Sequence, residues 1–260
     1  MDDTYQPKVY RKQGGDEFVV ASGGKITVES GGLIVIESGG PVSYFTDFLG
    51  DALEDELLAG VGSGTGNAVA ISAGVGGHVE IKTSSADAAD AANISSLSLG
   101  GLNWKANQGG LVMEARLQID AITAVAVFVG FTDTLASTVE MPIFLNAADI
   151  DSTADDACGV LFDTDGTTDE WCHGGVKATV DTVPAYNGDA PAAATYYTVR
   201  VEVSADGAVQ GFIDGVAIGD PVPDAVTPTV ALTPIIVANN RGAAARNVLV
   251  DYLFVQGDRA

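Results

Sequence analysis

From residue 66 onward the chain alternates between short apolar–polar runs and turn signals, and this period of two restricts its fold more than any other feature. Runs at 69–72, 78–82, 110–120, 124–132, 159–162, 176–180, 196–204, 208–213, 232–238 and 248–256 all read as strands. In 113–120, Met113, Ala115, Leu117 and Ile119 point one way, and Glu114, Arg116, Gln118 and Asp120 the other. That is the pattern of an antiparallel strand with one face buried and one solvated. Ala205-Asp-Gly207 and Asp214-Gly215 are hairpin signals between such runs. About ten strands at this spacing predict a two-sheet sandwich or jelly roll. Composition agrees. Hydrophobic residues make up 47% of the 260 positions, enough for a core, and 32 glycines serve tight turns.

Ahead of this region stands an internal repeat of period eight. Glu17-Phe-Val-Val-Ala-Ser-Gly-Gly24 is followed by Lys25-Ile-Thr-Val-Glu-Ser-Gly-Gly32 and Leu33-Ile-Val-Ile-Glu-Ser-Gly-Gly40. Phe18 and Val20, Ile26 and Val28, and Ile34 and Ile36 fall at matching places, so each unit repeats one apolar face. Three strands this short bury little and need neighbours. A homo-oligomer meets that need, with a homotrimer wrapped on a shared axis as the favoured form. A meander packed on the following domain is the alternative. Residues 1–16 read as an extended arm, and Lys8, Arg11 and Lys12 place three of the chain's 12 basic residues within its first 12 positions. The arm is either a solvated terminus or an anchor for a polar or acidic partner. The organisation expected is therefore arm 1–16, oligomerising and anchoring repeat 17–43, and sandwich 44–260. One short helix is expected over Thr46 to Ala59, where Phe45, Leu49, Leu53, Leu57 and Leu58 share a side, Thr46 or Asp47 caps the start and Gly60 stops it.

Charge removes whole classes of partner. With 12 Lys and Arg against 35 Asp and Glu the net charge is -23, which excludes phosphate-driven nucleic-acid binding and argues against docking on an anionic membrane. The longest apolar stretch, 121–131, has 11 residues against the ~20 that a membrane-spanning helix needs. No apolar run follows a basic start, so a secretory signal is not expected. Cys158 and Cys172 flank a hairpin; a disulfide is open to them, and free thiols are the preferred reading.

The stretch from Tyr196 to Gly215, with Val248-Leu-Val-Asp-Tyr-Leu-Phe-Val255 closing the chain, resembles the C-terminal half of concanavalin A-like jelly rolls. Leu111 to Asp120 and Val127 to Asp133 resemble the earlier core strands of that family. The resemblance covers roughly residues 44–260. The fold hosts lectins, glycosidases and structural proteins, so it does not choose among them. Joined to a Gly-Gly repeat and a basic arm, it resembles the capsid decoration or cement proteins of tailed phages. That resemblance implies a homotrimer on the outer capsid surface of a virion, its N-terminal segment gripping the major capsid protein and its knob exposed. The contact residues it assigns are Lys8, Tyr10, Arg11, Lys12, Phe18, Val20, Ile26, Val28, Ile34 and Ile36.

Other chemistry is weaker in the sequence. Asp163-Thr-Asp-Gly-Thr-Thr-Asp169 has carboxylates at calcium-loop spacing but lacks the closing Glu of an EF-hand, and a hairpin loop is the preferred reading. Glycosidases of this class carry paired carboxylates on one strand, and no Glu-x-Asp-x-x-Glu run occurs. Glu114 and Asp120 share a face but lie six residues apart, roughly 20 Å, and read as a surface ladder beside Arg116. Cys172 and His173 point to opposite faces of a strand, and structural zinc spacing is missing. Trp104, Trp171, Tyr186, Tyr196 and Tyr197 could together stack on a sugar. The expectation is thus a non-enzymatic virion protein without metal or cofactor. A lectin-like glycan-binding fibre or spike module is the alternative, and a glycan hydrolase is less favoured.

Overall fold

The computed structural model describes residues 9–11, 18–20, 41–72, 76–85, 92–134 and 140–258. Two units separate, Met1–Gly40 and Pro41–Ala260. In the first, β1 (Val9–Arg11) and β2 (Phe18–Val20) form an antiparallel pair, with Val9 opposite Val20 and Arg11 opposite Phe18. The other two repeats lie outside the described residues.

The second unit is an all-antiparallel sandwich. Its strands are β3 (Val42–Thr46), β4 (Leu58–Val61), β5 (Ala68–Ser72), β6 (His78–Lys82), β7 (Ile94–Ser98), β8 (Leu111–Ile119), β9 (Val125–Thr132), β10 (Ile143–Asn146), β11 (Asp149–Ser152) and β12 (Ala157–Asp163). They continue as β13 (Cys172–Lys177), β14 (Val180–Asp181), β15 (Ala185–Tyr186), β16 (Tyr196–Val203), β17 (Val209–Ile213), β18 (Val216–Ala217), β19 (Thr233–Asn240) and β20 (Asn247–Gly257). Sheet I runs β18-β17-β16-β8-β20-β6-β5, with β3 also on β20. Sheet II runs β14-β13-β12-β9-β19-β7-β4, with β15 on β13. The chain crosses between the sheets repeatedly, from β3 to β4 to β5, from β6 through β7 and β8 to β9, from β15 to β16 and from β18 through β19 to β20. Hairpins such as β5–β6, β12–β13 and β16–β17 stay within one sheet; this is jelly-roll connectivity. β3 pairs Val42 with Gly257 and Ser43 with Gln256, so these two residues, grouped with the repeat in the sequence, belong to the sandwich.

Period two dictates the packing. Along β8, Leu111, Met113, Ala115, Leu117 and Ile119 are buried and the residues between them are half-buried. They meet Val127, Val129, Phe131, Val160 and Ile236 of sheet II in one core. A second apolar cluster lies on the far side of sheet II. There Ile143, Leu145 and Ile150 of the β10–β11 hairpin cover Phe128, Leu161 and Val237. That second layer explains why β9, β12 and β19 are buried at every position while β8 and β16 alternate.

The helix expected over Thr46 to Ala59 does not form. Residues 47–57 are irregular, and the one helical element among the described residues is a single 3-10 turn, Ala106–Gln108. Phe48 takes φ 52° and its N–H bonds the Thr46 hydroxyl. Glu54 accepts from Tyr44 Oη at 2.6 Å and Thr46 Oγ1 at 2.7 Å. Phe48, off the supposed stripe, enters the core, while Leu49 and Leu58, on it, are 69% and 51% exposed. Pairing of β3 with β20 and of β4 with β7 satisfies the flanking backbone and overrides local helix propensity.

Cys158 and Cys172 are free and buried. Cys158 faces the core between the sheets and Cys172 the second cluster, so they point away from each other across one sheet.

Candidate functional site

The outward face of sheet II is shaped by missing side chains. Gly130, Gly159 and Gly174 stand in one row, Gly159 opposite both of the others. A Cβ on Gly130 would lie 2.2 Å from the Cys158 carbonyl oxygen, and one on Gly159 2.3 Å from that of Val129. The Phe128 ring lies 2.8 Å from both positions, and Ile150 Cδ1 2.5 Å from that on Gly174. Only glycine lets these strands and the hairpin approach so closely.

Beyond the Phe128–Leu161–Val237 row of the same face comes a row that carries polar groups. Asp163 on β12 stands opposite Ala126, which stands opposite Asn239, which stands opposite Ile94. Asp163 is fully buried and Arg241, just past β19, has a side chain 6% exposed. Arg241 donates from Nε to Oδ1 at 3.1 Å and from Nη2 to Oδ2 at 2.6 Å, the two-pronged geometry that suits a guanidinium. The Leu145 N–H donates to Oδ2 at 3.0 Å and the Asp165 N–H to Oδ1 at 3.1 Å. Burial pushes the Asp163 carboxyl above the usual carboxylate range, and Arg241 with the two backbone N–H groups pulls it back. Asp165 adds an oxygen 3.4 Å from Arg241 Nε. These acids of the supposed calcium loop are thus engaged by an arginine. Among the described residues no cluster of three or more His, Cys, Asp and Glu is placed to hold a metal.

Beside this pair opens a cavity of about 180 Å3 lined by Ile94, Glu140, Met141, Phe144, Thr153, Asn239 and Arg241. The guanidinium carbon stands 5.6 Å from the Phe144 ring centre. Thr153 Oγ1 donates to the Met141 carbonyl at 2.7 Å, fixing one wall. A floor of Ile94, Met141 and Phe144 with a few convergent polar groups is the usual make-up of a small-ligand site.

The residues singled out in the sequence lie elsewhere. Tyr10 and Arg11 fall on β1, and Phe18 and Val20 on β2. Lys8, Lys12, Ile26, Val28, Ile34 and Ile36 lie outside the described residues. The five aromatics do not form one platform. Trp104 and Trp171 are buried in the central core, Trp171 edge-on to Tyr197 at 6.1 Å. Tyr186 packs on the second cluster, and Tyr196 lies on sheet I under Arg116, 4.3 Å from its ring. Glu114 sits on the face of sheet I with partners other than the expected Arg116, accepting from Tyr252 Oη at 2.8 Å and facing Arg200 at 3.6 Å, while Arg116 pairs with Asp251. His173 points inward, away from Cys172. It is fully buried, and neither ring nitrogen makes a well-aligned hydrogen bond. Burial pushes its pKa down to about 4, against a small opposing pull from the Asp220 backbone.

No protein-family model matches the chain, and no curated protein matches it in sequence. Solved structures do resemble its fold. A structure reported for endo-acting O-glycanases of human gut microbiota that initiate mucin breakdown is 8% identical, with TM-score 0.54 over 84% of this chain and 99% of that one. A Bacillus licheniformis β-glucanase is 12% identical, with TM-score 0.51 over 86% and 100%. Peanut lectin is 11% identical, with TM-score 0.50 over 84% and 97%. The sandwich is therefore a concanavalin A-like jelly roll, a fold shared with glycan-binding lectins and with glycoside hydrolases. The expectation that the chain is not an enzyme is corrected on this ground: the architecture is one that glycosidases use, and a missing strand motif in the sequence does not remove it from their company.

Proposed function

We propose that the protein is a surface component of a phage virion. Its N-terminal unit attaches to the major capsid protein, and its jelly roll stands on the outer capsid surface as a knob. The observation that carries this reading is the division of the chain at Gly40 together with the division of its charge. Residues 1–40 hold four basic and six acidic side chains; of the 12 and 35 in the whole chain, eight basic and 29 acidic remain for the jelly roll. A nearly balanced small unit suits contact with another protein, and a strongly acidic large one repels its neighbours and stays dispersed. Self-association as a homotrimer belongs to the same reading. Exposed apolar side chains gather at the lateral edges of the sandwich, Val42, Phe45, Leu58 and Val61 on β3 and β4 at one side and Val180 and Val216 on β14 and β18 at the other. Several weak contacts made at once then hold the protein to a lattice. Removing residues 1–40 should leave a folded knob that no longer sediments with capsids. Co-sedimentation of the truncated protein would sink the reading.

A second reading is favoured by the cavity beside Arg241: the knob engages glycans. A glycan array followed by an activity screen on its positives tests it, and a blank array overturns it.

A further inference from the structure

The cavity's lining narrows the ligand beyond "a glycan". This step rests on the glycan reading above. Arg241 does not present a net positive charge there, because Asp163 and Asp165 are both held against it and Glu140 adds a third carboxylate at the rim. Uronic and sialic acids would meet an acidic surround and gain no unmatched cation. An unsubstituted hexose has no methyl to offer the apolar floor, and seating it there would press hydroxyls on Ile94 and Met141, where they lose water without a replacement.

We propose that this cavity receives the acetamido group of a 2-acetamido sugar. That group is a planar amide ending in a methyl, and each part has a counterpart in the lining. The methyl enters the floor of Ile94 and Met141. The carbonyl accepts from the amide and guanidinium donors of Asn239 and Arg241. The amide N–H donates to the Glu140 carboxylate, and the C–H face of the ring lies on Phe144. A volume of about 180 Å3 suits one such group with the adjoining ring and no longer chain. The Arg241–Asp163 pair acts here as a rigid wall, fixed from behind by the Leu145 and Asp165 N–H groups.

The chain has three methionines, and this gives the test a built-in control: Met113 is buried in the central core and Met141 lines the cavity. With 13C-methyl methionine in the full-length protein, methyl glycosides of N-acetylglucosamine and N-acetylgalactosamine should shift the Met141 signal and leave Met113 in place. Methyl glucoside, methyl galactoside and glucuronate at the same concentration should shift neither. By calorimetry, Met141→Trp, which fills the cavity, should weaken binding at least tenfold. Phe144→Ala should weaken it several-fold, and is the variant to use if the first fails to unfold cooperatively. Equal shifts with hexoses or acidic sugars overturn the proposal, as does binding that both variants leave intact. A positive glycan array with a silent Met141 overturns this site while glycan recognition stands. A blank array with a silent Met141 ends both.

Discussion

The outward faces of the two sheets both carry arginine–aspartate pairs, and they use them in opposite ways. On sheet I, Arg116 meets Asp251 at 2.5 Å with side chains 40% and 26% exposed, and Arg200 meets Glu202 at 2.6 Å. On sheet II, Arg241 meets Asp163 under the β10–β11 hairpin with side chains 6% and 0% exposed. The chemistry is the same and the solvent differs. Water screens the first pair and competes for both partners, so it ranks among surface bridges that contribute little. The second is almost wholly withdrawn from water, so each charge depends on the other. Sheet I's face is a self-satisfied ladder, whereas sheet II's is a covered layer with a cavity beside a buried pair.

The sharpest way to break this contrast is to remove one partner. Arg241→Leu leaves Asp163 buried with its charge unmatched and should cost about 3–5 kcal/mol in urea unfolding. A loss below about 1 kcal/mol would mean that the hairpin does not exclude water, and the contrast between the faces would collapse.

Acid should sharpen the same contrast, because sheet II also carries a buried histidine. His173 has a pKa of about 4 in the fold against 6.5 ordinarily, so as pH falls the unfolded chain takes up the proton first. Stability is then level above about pH 6.5 and falls between there and about pH 4, by roughly 3 kcal/mol in all. Asp163 acts with the other sign. Its raised carboxyl pKa makes the fold hold a proton more readily than the unfolded chain, so acid does not weaken the fold through it. His173→Leu should therefore flatten the acid limb of a plot of urea midpoint against pH. An unchanged limb would place the acid sensitivity elsewhere.

The third test separates the hairpin from the sheet beneath it. Gly174→Ala sets a methyl 2.5 Å from Ile150 Cδ1 and should cost about 1–3 kcal/mol by overpacking. Adding Ile150→Val, which deletes that Cδ1, should recover part of the loss. Plain additivity of the two would show that the hairpin does not rest on this glycine.

Sheet I was legible in the sequence for the reason its face is simple. β6, β8, β16, β17 and β20 have one dry and one wet side, so their residues alternate, and Asp214-Gly215 marks the turn after β17. Strands wet on neither side lose that signal. β9 and β19 remain legible as continuous apolar runs, but β12 and β13 are legible only in part, and β7 and the β10–β11 hairpin not at all. The hairpin turns through Ala147 at φ 57° instead of a glycine, and its strands are four residues long. The site follows the same logic. Asp163 was visible as one acid of a loop, but its partner lies 78 positions away, and only the register of β12, β9 and β19 brings the two together. Phe45 to Leu58 misled in the opposite sense: helical spacing was present, but two edge strands claimed the ends of the segment.

The smallest expected effect is the one that completes the comparison. Arg116 stacks on Tyr196 and bonds Asp251, both in contact with solvent, so Arg116→Leu should cost no more than about 1 kcal/mol. A double-mutant cycle with Asp251→Asn should return a coupling of about 0.2–1 kcal/mol at low salt. That coupling should shrink in 1 M salt, where the screening length falls to about 3 Å. The cycle for Arg241 and Asp163 should instead keep most of its coupling in the same salt, because ions do not enter the covered face. If both couplings decayed alike, the two faces would be equally wet, and the cavity beside Arg241 would lose the dry floor that fits it to a methyl group.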